Sequence, residues 1–194
     1  MSRRARTLGP EYFDSLYAKD ADPWKFATSD YERAKYAQTL AALPSARYAR
    51  ALEVGCSIGV LTRSLAQRCD RLVAVDASEL ALSEARRRCI DCGNVEFSRM
   101  FVPRDWPQNE FDLILLSEVV YYLDADDVAK LAVRVAGSLA PKAAVALVHW
   151  TGETDYPLAG DDAAELFIAG VRAFADPVRL VRLPEYRVDI LVGR

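Results

Sequence analysis

The sequence predicts an α/β fold: a doubly wound, mostly parallel seven-stranded sheet with an antiparallel hairpin at its C-terminal edge. Three observations carry this. Short apolar runs alternate with stretches of helical spacing from residue 51 onward. The runs are apolar at consecutive rather than alternate positions, as expected of strands covered on both faces. The last two runs follow one another without an intervening helix, so a hairpin joins them.

Residues 1–30 hold Gly9-Pro10, Asp22-Pro23 and the isolated aromatics Tyr12, Phe13, Tyr17, Trp24 and Phe26. Turns with helical patches at most are expected there, forming an N-terminal head over a single domain of residues 31–194. Tyr36, Leu40 and Leu43 recur at helical spacing and Pro44 ends the pattern, which predicts a helix over 31–43. Residues 51–55 form the first strand and 59–67 the helix after it. Residues 71–75 form the second strand, and Ser78 is expected to N-cap a helix whose last turns hold Arg86, Arg87 and Arg88, complementing its dipole. The third strand is 94–98, followed by an irregular stretch through Pro103, Trp106 and Pro107. Residues 111–116 are the most apolar strand, 126–139 a helix, 143–148 a strand and 161–174 a helix. Strands over 178–183 and 187–192 complete the chain.

At 194 residues a single domain is the default, and its core needs neither metal nor disulfide support. A hydrophobic share of 52% with 27% charged residues excludes disorder. The net charge of −3 argues against a nucleic-acid partner gripped through phosphates. Arg3, Arg4 and Arg6 are followed by Glu11 and Asp14 instead of an apolar segment, and the run 143–148 is too short to span a bilayer. A cytoplasmic protein with no membrane partner is expected. Cys89 and Cys92 form the sole C-x-x-C, without the second pair or histidines a zinc site would want, so Cys56, Cys69, Cys89 and Cys92 are read as structural and no metal is expected.

The chemistry gathers where strands end. The first strand runs into Glu53-Val54-Gly55-Cys56-Ser57-Ile58-Gly59, a glycine-bearing strand-to-helix turn that lets a ligand approach backbone amides. Ser57 and Val60 break the G-x-G-x-x-G of a dinucleotide site, and no Gly-Lys-Ser/Thr marks a P-loop. Asp76 ends the second strand, where a carboxylate can accept both hydroxyls of an adenosine ribose. Together these features select a ligand carrying adenosine and argue against NAD.

The run Glu53-x-Gly55-x-x-x-Gly59 followed by Val73-Ala74-Val75-Asp76 resembles the class I S-adenosylmethionine-dependent methyltransferases. Phe111 to Glu118 is similar to their motif at the mouth of the site, and Leu139-Ala140-Pro141 to the turn before their fifth strand. The resemblance spans about residues 30–150 and implies a Rossmann-like sheet, S-adenosyl-L-methionine as cofactor and S-adenosyl-L-homocysteine as product. The cofactor set it implies is Glu53, Gly55, Cys56, Ser57, Gly59, Asp76, Ala77, Met100, Phe101 and Ser117, joined by Arg33 and Trp24 from the N-terminal side. Met100-Phe101 stands where the family often has an Asp near the adenine, so apolar contacts are expected there.

A closer resemblance is to the NodS family of nodulation N-methyltransferases, carried by Asp22-Pro23-Trp24, Glu32-Arg33, Leu52-Glu53-x-Gly55-Cys56 and Glu118-Val119-x-Tyr121-Tyr122-Leu123. It implies a small-molecule amine as acceptor, an amino sugar or oligosaccharide in particular. An ammonium acceptor must lose a proton before it attacks. Glu118, at the end of the fourth strand, is the expected base, with His149 and Tyr121 as further catalytic candidates. Trp24, Tyr121 and Tyr122 offer faces and hydroxyls to a sugar, and Asp22 a charge to its ammonium. Two other functions stay open: methylation of a hydroxyl or carboxyl group, and adenosine-ligand binding without catalysis. Ser117-Glu118-Val119-Val120 lacks the N/D-P-P-Y/F of base methyltransferases.

Overall fold

The computed structural model describes residues 3–194. Its elements are α1 (Pro10–Lys19), α2 (Asp30–Ala42), β1 (Tyr48–Val54), α3 (Val60–Ala66), β2 (Cys69–Asp76), α4 (Glu79–Arg88) and β3 (Val95–Arg99). There follow β4 (Phe111–Ser117), a 3-10 turn (Val120–Tyr122), α5 (Ala125–Ala136), β5 (Leu139–Trp150), α6 (Gly160–Val171), β6 (Ala175–Arg182) and β7 (Tyr186–Gly193). The seven strands form one sheet in the order β3-β2-β1-β4-β5-β7-β6. β1 to β5 pair in parallel, while β7 runs antiparallel to both β5 and β6. The expected Rossmann-like sheet with an antiparallel edge is therefore the observed one.

Alternation along the strands places apolar residues on both faces. Leu52, Val54, Ile114, Leu116, Val145 and Leu147 pack with Val128, Leu131 and Val135 of α5 and Phe167 of α6. Ala51, Leu113, Leu115, Ala144 and Ala146 face the other way, against Leu61 and Leu65 of α3 and the end of α2 at Ala42 and Leu43. Strand order reverses between β1 and β4, with Val54 opposite Leu116. The residues after these strands, Gly55 and Glu118, thus flank the crevice where ligands bind in open α/β sheets.

The head departs from the expectation of turns, because Pro10–Lys19 is a regular helix. Pro10 suits its first turn. Phe13 and Tyr17 lie one turn apart and pack with Ile58 and Ala81, so tertiary burial supports this short helix between Gly9 and Asp20. Ser78 occupies the N-cap position of α4, yet its hydroxyl makes no cap bond and donates to Asp14 Oδ1 at 2.7 Å. The Ser78 amide is instead held by Asp76 Oδ1 at 2.9 Å. β1 starts ahead of the expected strand, and the Asp112 carboxylate accepts the Ala49 and Arg50 amides there. All four cysteines are free, and among the described residues no helix is long and apolar enough to cross a membrane and no cluster of ligands could hold a metal.

Candidate active site

A cavity of about 410 Å³ lies beyond the carboxyl ends of β1 to β5, roofed by residues of the head and α2. Its two ends differ in chemistry.

At one end the glycine turn meets Asp76. Gly55, Ser57 and Gly59 have φ of 80°, 50° and 78°. A Cβ on Gly55 would fall 2.3 Å from Val119 Cγ2 and 3.1 Å from the Ser117 carbonyl oxygen, so glycine is required by conformation and by contact with the β4 end. Gly59 does not line the cavity. A Cβ there would lie 3.0 Å from Ala85, so its role is the close approach of α3 to α4, and its expected cofactor contact is corrected to packing. Asp76 Oδ2 accepts the Ser57 amide at 2.9 Å and Oδ1 the Ser78 amide. Each oxygen keeps a lone pair for a ligand hydroxyl. Burial raises the Asp76 pKa, with those amides pulling against it. Ala77, Met100, Phe101 and Ser117 complete this end with Cys56 and Glu53. Burial pushes the Glu53 carboxyl up to about 7, helped by the Asp76 charge, and its Oε2 has no partner. The Tyr17 hydroxyl shares a hydrogen bond with Ser57 Oγ, which ties α1 to the turn.

The other end is aromatic around a buried ionic group. Lys35 Nζ donates to Glu118 Oε1 at 2.6 Å and to Glu32 Oε1 at 3.0 Å, with its side chain only 3% exposed. Glu118, with φ of 56°, also accepts the Tyr121 hydroxyl at 2.7 Å and the Trp150 amide at 2.8 Å, both on Oε2. Burial works to raise the Glu118 pKa, but the charge of Lys35 and these donors outweigh it and hold the carboxylate below its ordinary range. The expected base is therefore an ionised anchor with three donors. Tyr156 stacks on Tyr121 at 5.2 Å, and Tyr31 meets Trp150 edge-on at 5.9 Å. Tyr121 donates to Glu118 and its pKa is pushed far up by burial, so its hydroxyl is a fixed donor and no base.

Several expected site residues lie elsewhere. His149 is fully buried and does not line the cavity; its Nε2 accepts the Val120 amide at 3.3 Å. Burial lowers its pKa to about 4, so it is a neutral structural histidine instead of a catalytic one. Arg33 points to solvent and pairs with Asp30 at 2.7 Å, outside the cavity lining. Asp22 accepts the Phe26 and Ala27 amides and shapes the turn before α2, without lining the cavity. Trp24 does line it, although one face stacks on Phe26 at 5.5 Å. Reading the sequence missed Lys35, Glu32, Tyr31 and Tyr156. The first two were legible as charges on the inner side of α2, since Glu32, Tyr36 and Leu40 share one helical stripe.

A family model described as Nodulation protein S (NodS) matches residues 14–145. Nodulation protein S of Rhizobium tropici is 35% identical over 119 residues, 61% of this chain and 49% of that protein. The Bradyrhizobium diazoefficiens protein of the same name is 38% identical over 103 residues, 53% of this chain and 49% of its own. The matched segment thus spans about half the length of these curated relatives. Among solved structures, a candidate methyltransferase of Pseudomonas syringae is 34% identical, with a TM-score of 0.74 covering 84% of this chain and 98% of that one. The N-methyltransferase NodS of Bradyrhizobium japonicum in complex with S-adenosylhomocysteine shares the fold at 21% identity, with a TM-score of 0.81 covering 94% and 97%.

Proposed function

This chain belongs to the Nodulation protein S (NodS) family, and we propose from that premise that it is an S-adenosylmethionine-dependent N-methyltransferase whose acceptor is the primary amine of an amino sugar. The observation that supports it most is the division of one cavity into an adenosine-suited end and an anionic, aromatic end. Asp76 offers a free lone pair on each oxygen for two ribose hydroxyls, and the Gly55 turn leaves backbone open beside it. Ala77, Met100 and Phe101 give adenine an apolar bed. S-Adenosylmethionine supplies an electrophilic methyl group when bound.

At the acceptor end Lys35 carries one positive charge between two carboxylates, so the ionised group has net charge −1 and attracts an ammonium. Glu118 is locked in place by Lys35, Tyr121 and the Trp150 amide. Tyr121, Tyr156, Trp150 and Trp24 form amphipathic walls for a sugar ring. Holding nucleophile and methyl carbon in line and away from water is worth about 7–11 kcal/mol. In this reading residues 1–30, of which 1 and 2 lie outside the described residues, act as a head over the site, supported by Phe13, Tyr17, Trp24 and Phe26 among its walls. A cytoplasmic location completes the proposal.

The test is to incubate the protein with methyl-labelled cofactor and deacetylated glucosamine oligomers, with fully acetylated oligomers as control. Label is expected in the deacetylated oligomers alone. Methylation of a phenol or carboxylate with neither oligomer labelled would overturn the amine assignment.

A further inference from the structure

Resting on the amine reading above, we propose that Glu32, through its Oε2, is the group that takes the proton from the acceptor ammonium.

Glu32 is 7% exposed, lines the aromatic end of the cavity, and shares Lys35 with Glu118. Its two oxygens are not equivalent. Oε1 receives Lys35, whereas Oε2 is buried without a hydrogen-bond partner. A buried carboxylate oxygen without a donor is costly and marks a place where a ligand donor belongs. The nearby Tyr31 hydroxyl is likewise buried, unpartnered and in the cavity wall.

Local sequence favours a different use of this residue. Ser29-Asp30-Tyr31-Glu32 is a capping-box pattern, in which the Glu side chain returns to the N-cap amide. Half of the box forms, since Ser29 Oγ accepts the Glu32 amide at 3.3 Å. The Ser29 amide is already taken by the Lys25 carbonyl at 2.9 Å, and the Glu32 carboxylate turns to Lys35 instead. Glu118 has three donors and a depressed pKa, while burial raises that of Glu32 against the pull of Lys35, so Glu32 is the stronger base of the two. The titratable groups facing it are Lys35, Tyr31 and Tyr36 of α2, Glu118 beyond β4, and Tyr186 of β7.

In the step, one N–H proton of the ammonium passes to Oε2 and the bonding pair stays on nitrogen as the lone pair that attacks. The carboxylic acid so formed returns its proton to water as product leaves.

The experiment compares wild type with Glu32→Gln, using deacetylated glucosamine oligomers and S-adenosylmethionine from pH 6 to 10. Turnover of the variant should fall about 10²–10⁴-fold at pH 7 and recover as pH rises through the amine's own pKa, where solution supplies the free base. Calorimetry of the oligomer binding to the S-adenosylhomocysteine complex should show about ten- to a hundredfold weaker affinity, from one lost charge-assisted bond. Should the Gln variant not fold, Glu32→Asp keeps the charge at shorter reach and should show the same alkaline recovery from a smaller deficit. Wild-type turnover at pH 7, a deficit equal at every pH, or unchanged oligomer affinity would overturn the assignment. A wild-type enzyme that methylates only hydroxyls or carboxylates removes the amine reading itself, whereas amine methylation with an indifferent Glu32 removes this inference alone.

Discussion

Replacing Lys35 by Met should destabilise the protein in a strongly pH-dependent way. The substitution keeps an unbranched side chain, one heavy atom shorter, but leaves Glu32 and Glu118 together in a buried site without their shared cation. Breaking a buried ion pair by deleting one partner costs about 3–5 kcal/mol. Protonation of one carboxylate caps that cost. Keeping a carboxyl of ordinary pKa 4.5 protonated costs about 3 kcal/mol at pH 7 and about 1 kcal/mol at pH 5, at 1.36 kcal/mol per pH unit. The sign follows from Glu118. In the wild type its folded pKa is depressed, so its stabilisation is present above the unfolded value and lost on acidification through the folded one. In the variant only the Tyr121 and Trp150 donors still oppose burial, which now outweighs them; the pKa lies above the unfolded value, and the penalty grows with pH. Urea unfolding should therefore find the variant about 3 kcal/mol less stable at pH 7, and the gap should narrow to about 1 kcal/mol at pH 5. The melting temperature at pH 7 should drop by about 6–12 °C for a chain of this size. A gap that is absent, or that widens on acidification, would show that Lys35 does not compensate the two carboxylates.

Asp76→Ala should weaken S-adenosylhomocysteine binding at least about tenfold, because each charge-assisted bond is worth about 1.5–3 kcal/mol; unchanged calorimetric affinity in a folded variant contradicts the ribose assignment. Gly55→Val should abolish cofactor binding, since φ is 80° and Val119 stands 2.3 Å from the added Cβ; a folded variant that still binds in calorimetry refutes the turn's role. His149→Gln should keep turnover within about threefold of wild type, as the imidazole serves the Val120 amide and not the reaction, whereas a loss above about 10² would restore it to catalysis. The same variant should flatten the acid side of the stability curve. With a folded pKa of about 4 against 6.5, His149 makes the unfolded state bind more protons, so wild type loses up to about 3 kcal/mol between pH 6.5 and 4 that the variant keeps.

The framework of the site was readable because topology alone dictates where β1, β2 and β4 end. Gly55, Asp76 and Glu118 follow from those ends without knowledge of any side-chain contact. What failed depended on direction. His149 lies one residue before the end of β5 at the correct edge, but parity along the strand decides which way it points, and one position inverts the answer. Arg33 is adjacent to Glu32, yet a step along a helix turns a side chain by about 100°, out of the cavity and into solvent. Lys35 and Glu32 carry no motif of their own for a site, although Tyr36 and Leu40 mark their side of α2 as the inner one. Gly59 was misassigned because a glycine required by a neighbouring helix looks the same in sequence as one required by a ligand.

The wall around Glu32 is assembled from distant stretches of chain. Tyr31 leads α2, Glu118 follows β4, the Trp150 amide closes β5, and Tyr186, edge-on to Tyr31 at 5.8 Å, opens β7. During synthesis the adenosine end can take shape once β4 has been added beside β1 and β2. The acceptor end must wait for β7, because long-range strand pairing repays its loop-closure entropy only when that partner arrives. A nascent chain paused before β7 would thus expose an aromatic, anionic half-site. Chaperone protection and ligand rescue should be sought at that stage of its biogenesis.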